Sequence, residues 1–491
     1  MAIVLPILIP LITAIILLLF WWRRSLQRAI NTLGTVALLA TGIFLLVLVW
    51  QDGIQTVQLG NWPAPYGITL VADLLAATLV VLAGLMGLAV GVYSLVAMDV
   101  PREEFGFYPL FQLLLMGVCG AFLTGDMFNL YVWFEVMLIS SFVLLALGGQ
   151  RLQLEGAIKY VTINLMSSAI FLAAVGILYS IAGTLNMADL ALALPNAAQP
   201  RLVTLLALLF LIAFGVKAAI FPLFFWLPAS YHTPPLAVSA IFSGLLTKVG
   251  VYALLRTFTL MFPDVLAELQ PLFLLLAGLT MIAGILGALA RREIRRILSF
   301  NIVSHIGYMV MGLAIFTPLA VAGSIAYILH HIVVITTLFL VAGQVRWLRG
   351  SYQLDRVGGL YQEYPLVALL FLIPALALAG IPPLSGFWPK VALIQAGLAG
   401  RHIFVVVAAL LTGLLTLYSM GIIWSEAFWK PGQPTANALG SKLDLRLLGP
   451  VVGLVLLIVL IGLLGGPVFD LSQAAADQLL NPTGYIEAVL P

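Results

Sequence analysis

Cysteine is almost absent: Cys119 is the only one in 491 residues. That excludes a disulfide framework and any Cys-based metal or iron–sulfur site. Charge is scarce too, at 8% of residues with a net charge of +3. No basic tail exists to grip a nucleic acid. The five histidines, His232, His305, His330, His331 and His402, show no metal-ligand spacing with Cys or carboxylates. No P-loop or dinucleotide fingerprint occurs either, so neither a metal nor a cofactor is expected. The longest polar interval, about 345–365, is too short to build a soluble domain. What the chain has in bulk is apolar surface: 63% of residues are hydrophobic and the mean hydropathy is +1.15. No soluble core hides that much, so the chain reads as an all-α polytopic membrane protein.

A window of about 20 residues finds about fourteen spans. They lie near 2–22, 31–50, 70–97, 107–125, 127–148, 157–182, 202–229, 234–261, 271–290, 297–316, 320–344, 366–399, 402–429 and 447–467. The first is not read as a signal peptide, because its arginines (Arg23, Arg24, Arg28) follow the apolar run instead of preceding it. Orientation follows from the bases. Connections after odd-numbered spans hold 15 Lys and Arg, including Arg291, Arg296 and Lys442, whereas the even ones hold only Arg201 and Arg401. The positive-inside rule therefore predicts both termini outside, with 468–491, which lacks bases, as an external tail.

Five bases remain within spans: Lys159, Lys217, Lys248, Arg256 and Lys390. A charge at the bilayer centre costs on the order of 3 kcal/mol even on the mildest scale, so such residues are functional candidates. Lys217 precedes Pro222 by five residues, and Lys390 follows Pro382, Pro383 and Gly386. Proline removes a backbone donor and opens the helix, which a membrane tolerates only beside a cavity or a neighbour. Two interrupted spans, the seventh and the twelfth, each with a lysine, point to paired repeats in a transporter. The lysine offset of 173 maps Glu135 near His305 and Lys159 beside His330 and His331. The fourth to eighth spans (107–261) then correspond to the ninth to thirteenth (271–429), flanked by 1–106 and 447–491. Five spans per unit force the two copies into opposite orientations.

Glu135 and Lys217 form a candidate proton switch, since burial and a neighbouring charge shift both groups; a static ion pair is the plainer reading. Lys248 and Lys390 are candidate relays, and His305, His330 and His331 fall mid-span as neutral relays or as hydrogen-bonded core histidines. His232, in a turn, and Lys159 are candidates for an entrance, although Lys159 also makes an ordinary i,i+4 pair with Glu155. Asp73 and Glu426 lie near span ends, where solvent can reach them.

The segments Gly125–Glu135, Lys217–Pro228, Phe242–Gly250, Ser299–Gly307 and Pro382–Lys390 resemble the proton-translocating antiporter-like superfamily. That superfamily includes three membrane subunits of respiratory complex I and the large subunits of Mrp-type multisubunit Na+/H+ antiporters. The resemblance spans roughly 65–430. The wording around Asn129–Glu135, a lysine at 390, the length, and the lack of a long C-terminal extension are most similar to the D-type Mrp subunit. It implies one half-channel per repeat joined by a hydrated polar axis, with Glu135 and Lys217 as the key ion pair. Lys248 then matches the central relay and Lys390 the terminal lysine. Ile335 departs from relatives that carry lysine there, which leaves the middle of the second half-channel to the histidines. The resemblance further implies a non-enzymatic cation/proton exchanger subunit in the bacterial cytoplasmic membrane. Its partners would be A- and C-like and smaller membrane subunits, and its cargo Na+ and protons. The rival readings are a proton-pumping subunit of a complex I or membrane-bound hydrogenase type enzyme, and an inert scaffold.

Overall fold

The computed structural model describes residues 2–432, 439–440 and 444–490; Lys442, counted among the bases above, lies outside them. Helices α1 (Leu5–Leu19) and α2 (Arg24–Asp52) lead to an antiparallel ribbon, β1 (Gln55–Gln58) and β2 (Thr69–Ala72). Next come α3 (Leu74–Ala97), the short α4 (Val100–Glu104), α5 (Phe107–Leu123), α6 (Met127–Ala146) and α7 (Arg151–Ala182). The middle of the chain holds α8 (Met187–Ala193), α9 (Pro200–Ala218), α10 (Trp226–Ser230), α11 (Leu236–Leu260) and α12 (Pro263–Glu268). It continues through α13 (Gln270–Leu289), α14 (Ile294–Ile315) and α15 (Pro318–Arg349). The remainder is α16 (Leu360–Glu363), α17 (Pro365–Ala379), α18 (Phe387–Ala399), α19 (Ile403–Ile423), α20 (Leu445–Leu463), α21 (Gly465–Leu480) and α22 (Thr483–Val489).

Among the described residues, twelve helices are long and apolar enough to cross a membrane. The shorter apolar helices α5 and α17 stand where the other two spans are expected. Several helices outrun the apolar band: α2 starts at Arg24, α7 at Arg151, and α15 continues to Arg349. Backbone hydrogen bonding carries on through polar residues, which hydropathy does not register.

Burial separates the spans. The most apolar windows of α11 and α14 are 94% buried and that of α15 is 100% buried, against 33% for α2 and α20. A helix enclosed on every side presents no face to lipid. Those three helices can therefore hold ionisable side chains among protein neighbours, and they hold Lys248, His305, His330 and His331.

Both expected interruptions are present. Helix α9 ends at Ala218, one residue past Lys217, with Ala219 in the left-handed region at φ 62°. The backbone freed there finds partners: Trp226 Nε1 donates to Val216 O at 2.9 Å, and Phe221 N donates to Thr280 Oγ1 at 3.0 Å. Helix α17 ends at Ala379, and the chain stays unwound from Gly380 (φ 93°) until α18. The breaks begin at 219 and 380, an offset of 161 and not the 173 of the two lysines. Lys217 precedes its break and Lys390 follows its own, so the two lysines stand at different places relative to the breaks, about three turns of helix apart.

Residues 468–489 belong largely to α21 and α22. Ser472, Ala475, Ala476 and Leu479 recur at i, i+3, i+4 and i+7 and bury one face of α21. The Gln478 side chain accepts from Leu74 N at 2.9 Å, tying α21 to the start of α3. One reading is corrected: Asp73 is not solvated, being 1% exposed and ion-paired with Arg256 on α11, itself 3% exposed. Tyr485 from α22 lies 5.1 Å from the Arg256 guanidinium and closes the site. Asp73→Ala should destabilise the fold by about 3–5 kcal/mol, because Arg256 is left as a buried charge without its partner. Thermal unfolding of the purified protein checks this, and Asp73→Ala with Arg256→Met should recover part of the loss. Unchanged unfolding in the single variant would overturn the argument.

Candidate functional site

The candidate proton-path residues of the interior form two groups. In the first, Lys217 sits in the last turn of α9 and its Nζ donates to Ser168 Oγ at 3.0 Å and to Asn164 O at 3.3 Å, both on α7. The Phe134 ring centroid is 5.5 Å away. Glu135, the next residue, makes no ion pair within 4.0 Å among the described residues, and its Oε1 is buried without a hydrogen-bond partner. The expected Glu135–Lys217 contact is thus absent, because Lys217 is turned toward α7. A cavity bounded by Tyr160, Asn164, Lys217 and Trp226 leaves ≈ 20 Å³ for water centres, room for one water.

Lys248 is fully buried on α11, where its Nζ donates to Ser243 O at 2.5 Å. Its helix meets the end of α9 at Gly250: a Cβ there would lie 2.5 Å from Ala218 N, so only glycine permits the approach. That contact puts the Lys217 backbone beside the Lys248 helix. On the other side α11 packs against α15, the helix of the adjacent histidines. Thr247 Oγ1, Thr336 Oγ1 and both ring nitrogens of His331 are buried there without a protein partner. Buried polar atoms in native proteins are almost always hydrogen-bonded, so ordered water is their natural partner.

The second group is continuous. The His331 and His305 rings are 5.3 Å apart, and His305 stacks on Tyr308 at 5.7 Å. His305 Nδ1 is hydrogen-bonded to the Tyr327 hydroxyl, and its Nε2 lies 3.5 Å from Thr416 Oγ1. Tyr308 is in turn 4.9 Å from Lys390 Nζ. That ammonium donates to Leu378 O at 2.9 Å and to Ala379 O at 2.8 Å, the carbonyls released where α17 ends. His330 points toward the second break instead. Its Nδ1 is 2.8 Å from Ser385 Oγ, and a Cβ on Gly386 would meet its Nε2 at 2.8 Å. Pro382, Pro383 and Gly386 therefore shape the turn and take no part in the polar contacts. Ile335 is fully buried one turn beyond His331.

The two entrance candidates share a cavity of ≈ 260 Å³ at one end of the bundle. Lys159 is exposed and pairs with Glu155 at 2.6 Å. His232 lies in the turn between α10 and α11, where its Nδ1 meets Pro228 O and Arg296 NH2 meets its Nε2, each at 2.9 Å. With Arg296 as donor, Nε2 accepts, so the proton belongs on Nδ1. Burial, then Arg296 and Arg295, push this imidazole down to about 3. The unfolded chain binds a proton near pH 6.5, so the stability contribution of His232 is present above that pH and fades as pH falls toward the folded value. Resistance to heat should drop between about pH 7 and pH 5, and His232→Gln should flatten that slope. An identical slope in the variant would assign it to other groups.

The sequence reading missed Asn164, Ser168, Tyr308, Tyr327, Ser385 and Thr416. Helical spacing carried a signal for three of them. Tyr160, Asn164 and Ser168 recur every four residues, and Tyr308 follows His305 by three. Among the described residues, no group of three or more His, Cys, Asp and Glu comes together as a metal-binding set.

Known proteins share both the sequence pattern and the fold. The family model described as NADH:quinone oxidoreductase/Mrp antiporter, TM matches residues 124–416. The D-type Na(+)/H(+) antiporter subunit of Alkalihalophilus pseudofirmus is 48% identical over 488 residues, covering 99% of each chain. A chain in the solved Mrp complex from Dietzia sp. is 30% identical with a TM-score of 0.94, covering 100% of this chain and 99% of that one. A chain of the membrane-bound sulfane sulfur reductase, an archaeal respiratory membrane complex, is 26% identical with a TM-score of 0.92 and covers 99% of each.

Proposed function

The chain belongs to the NADH:quinone oxidoreductase/Mrp antiporter family, and from that membership we propose that it is the D-type subunit of a multisubunit Na+/H+ antiporter. It is a multi-pass protein of the cell membrane, working with A- and C-like and smaller subunits and catalysing no covalent reaction. Protons move between Glu135, Lys217, Lys248, His331 with His305, and Lys390, with water bridging the partnerless threonine and imidazole atoms. The single observation that carries this reading is the placement of Lys248, His305, His330 and His331 on the three most enclosed helices, with Tyr308 linking His305 to Lys390.

Lys217 acts as the switch in this reading. Held by Ser168 and Asn164, it leaves Glu135 free to take a proton; turned toward Glu135, it forms the ion pair that displaces that proton. Drive comes from the membrane potential, about 2.3 kcal/mol per charge per 100 mV. We take 107–261 and 271–429 as two inverted repeats of five spans, between the flanks 1–106 and 447–491, with both termini outside. The 15 bases of the odd connections support that orientation. His232 and Lys159 stand at the entrance of the first half, and His330 lies at the second break.

The test is proton flux in vesicles containing the whole complex. Addition of Na+ should drive proton movement without any electron donor. The likeness to an archaeal respiratory complex favours a second reading, a pump driven by redox partners. Proton movement that needs an electron donor and ignores Na+ would establish that reading in place of the first.

A further inference from the structure

The cavity beside His232 has a charge imbalance that neither proton transfer nor the fold accounts for. Its walls include Lys159 and Glu155 from α7 and Arg291, Arg296 and Phe300 from the approach to and start of α14. Glu155 is already matched by Lys159 at 2.6 Å. Arg295, the neighbour on the same turn, is matched by Glu293 at 2.9 Å. Arg296 meets the neutral ring of His232, and Arg291 lies over the Phe300 ring at 5.2 Å. Neither has a carboxylate within 4.0 Å among the described residues. Lys159, Arg291 and Arg296 thus face a single carboxylate in this cavity, Glu155, which Lys159 already holds, so the walls carry an excess of positive charge.

The rim is apolar and outward-facing. Leu152 and Phe225, which line the mouth, are 67% and 64% exposed, and Ile158 on α7 is exposed nearby. On a membrane protein, exposed apolar side chains of this kind meet acyl chains. A site with paired cationic donors inside and apolar side chains at its lip matches an amphiphile with a phosphate at one end. A dissolved anion would use the arginines but gain nothing from Leu152 and Phe225.

We propose that this cavity between α7, α10 and α14 binds the phosphate of an anionic phospholipid, held by Arg291 and Arg296 with its chains against Leu152 and Phe225. The bound lipid would stand at the mouth that leads to His232 and Lys159.

The test measures lipid retention by the purified complex, reconstituted in discs of phosphatidylcholine containing phosphatidylglycerol and then washed into detergent. The wild type should retain phosphatidylglycerol in preference to phosphatidylcholine. Arg291→Gln with Arg296→Gln should lower that retention on the order of 10- to 30-fold, from about 1 kcal/mol per basic residue. Arg291→Lys with Arg296→Lys keeps both charges and should retain most of it, which separates lost charge from lost folding. Equal retention by the glutamine variant would overturn the proposal. So would a site that takes inorganic phosphate in detergent but does not yield it to phosphatidylglycerol, because the ligand would then be a free anion. Retention is read without ion transport, so failure here and failure of the antiport reading are distinguishable.

Discussion

Lys217→Ala should lower Na+-dependent proton flux on the order of 100-fold, the usual worth of a positioned proton-transfer group, while the complex still assembles. The structural cost is small for two reasons. Ser168 stands on α7 and can return its hydroxyl to its own helix, and Asn164 O is a backbone carbonyl already within helical bonding range. The close contact of α9 with α11 rests on Gly250 and the Lys217 backbone, which alanine preserves. Loss of flux therefore reports the missing ammonium and not a collapsed helix pair. Lys217→Arg sharpens the result, since it keeps a charge that cannot be released near neutral pH and should transport as poorly as alanine. An assembled alanine variant with wild-type flux would remove Lys217 from the path.

Lys390→Met should produce two losses at once. Its ammonium satisfies Leu378 O and Ala379 O, carbonyls that α17 cannot bond because its helix has ended. Methionine fills a similar volume but leaves both carbonyls unpaired, at about 1–3 kcal/mol for each group. The protein should lose heat stability by that order, and flux should fall as far as in Lys217→Ala. Tyr308→Phe separates the two roles. It removes a hydroxyl bonded to Ala409 O but keeps the ring between His305 and Lys390, so flux should fall less than in Lys390→Met. Lys390→Met with reduced stability and full flux would make this lysine a helix cap alone.

The chain's own order of residues carried much of the site. Lys217, Lys248, Lys390 and the mid-span histidines stood out because each violates an apolar run. Pro222 and the Pro382–Pro383 pair marked both interruptions, although α9 already stops at Ala218. Other features had no comparable local mark. Asp73 looked like an ordinary residue at a span end, and nothing near it in sequence announced a partner 183 residues away. The last residues were read from their lack of bases, which says nothing of the periodic Ser472, Ala475, Ala476 and Leu479 that pack one face of α21. The breaks are spaced differently from the lysines for a related reason, since equal chemistry at two breaks does not require equal position along the chain.

By itself the sequence determined that this protein lives in a membrane, where its spans run, where two of them break, and which residues bear charge inside. Those properties are local: hydropathy acts residue by residue, and proline acts on the turn that contains it. Only the tertiary structure decided which charges meet. It turned Lys217 toward Ser168 and left Glu135 apart, enclosed α11, α14 and α15, set Tyr308 between His305 and Lys390, and joined Asp73 to Arg256. Each of these depends on how a helix is rotated and crossed against its neighbours. That is set by close packing of side chains distant in the chain, which no single span can specify alone.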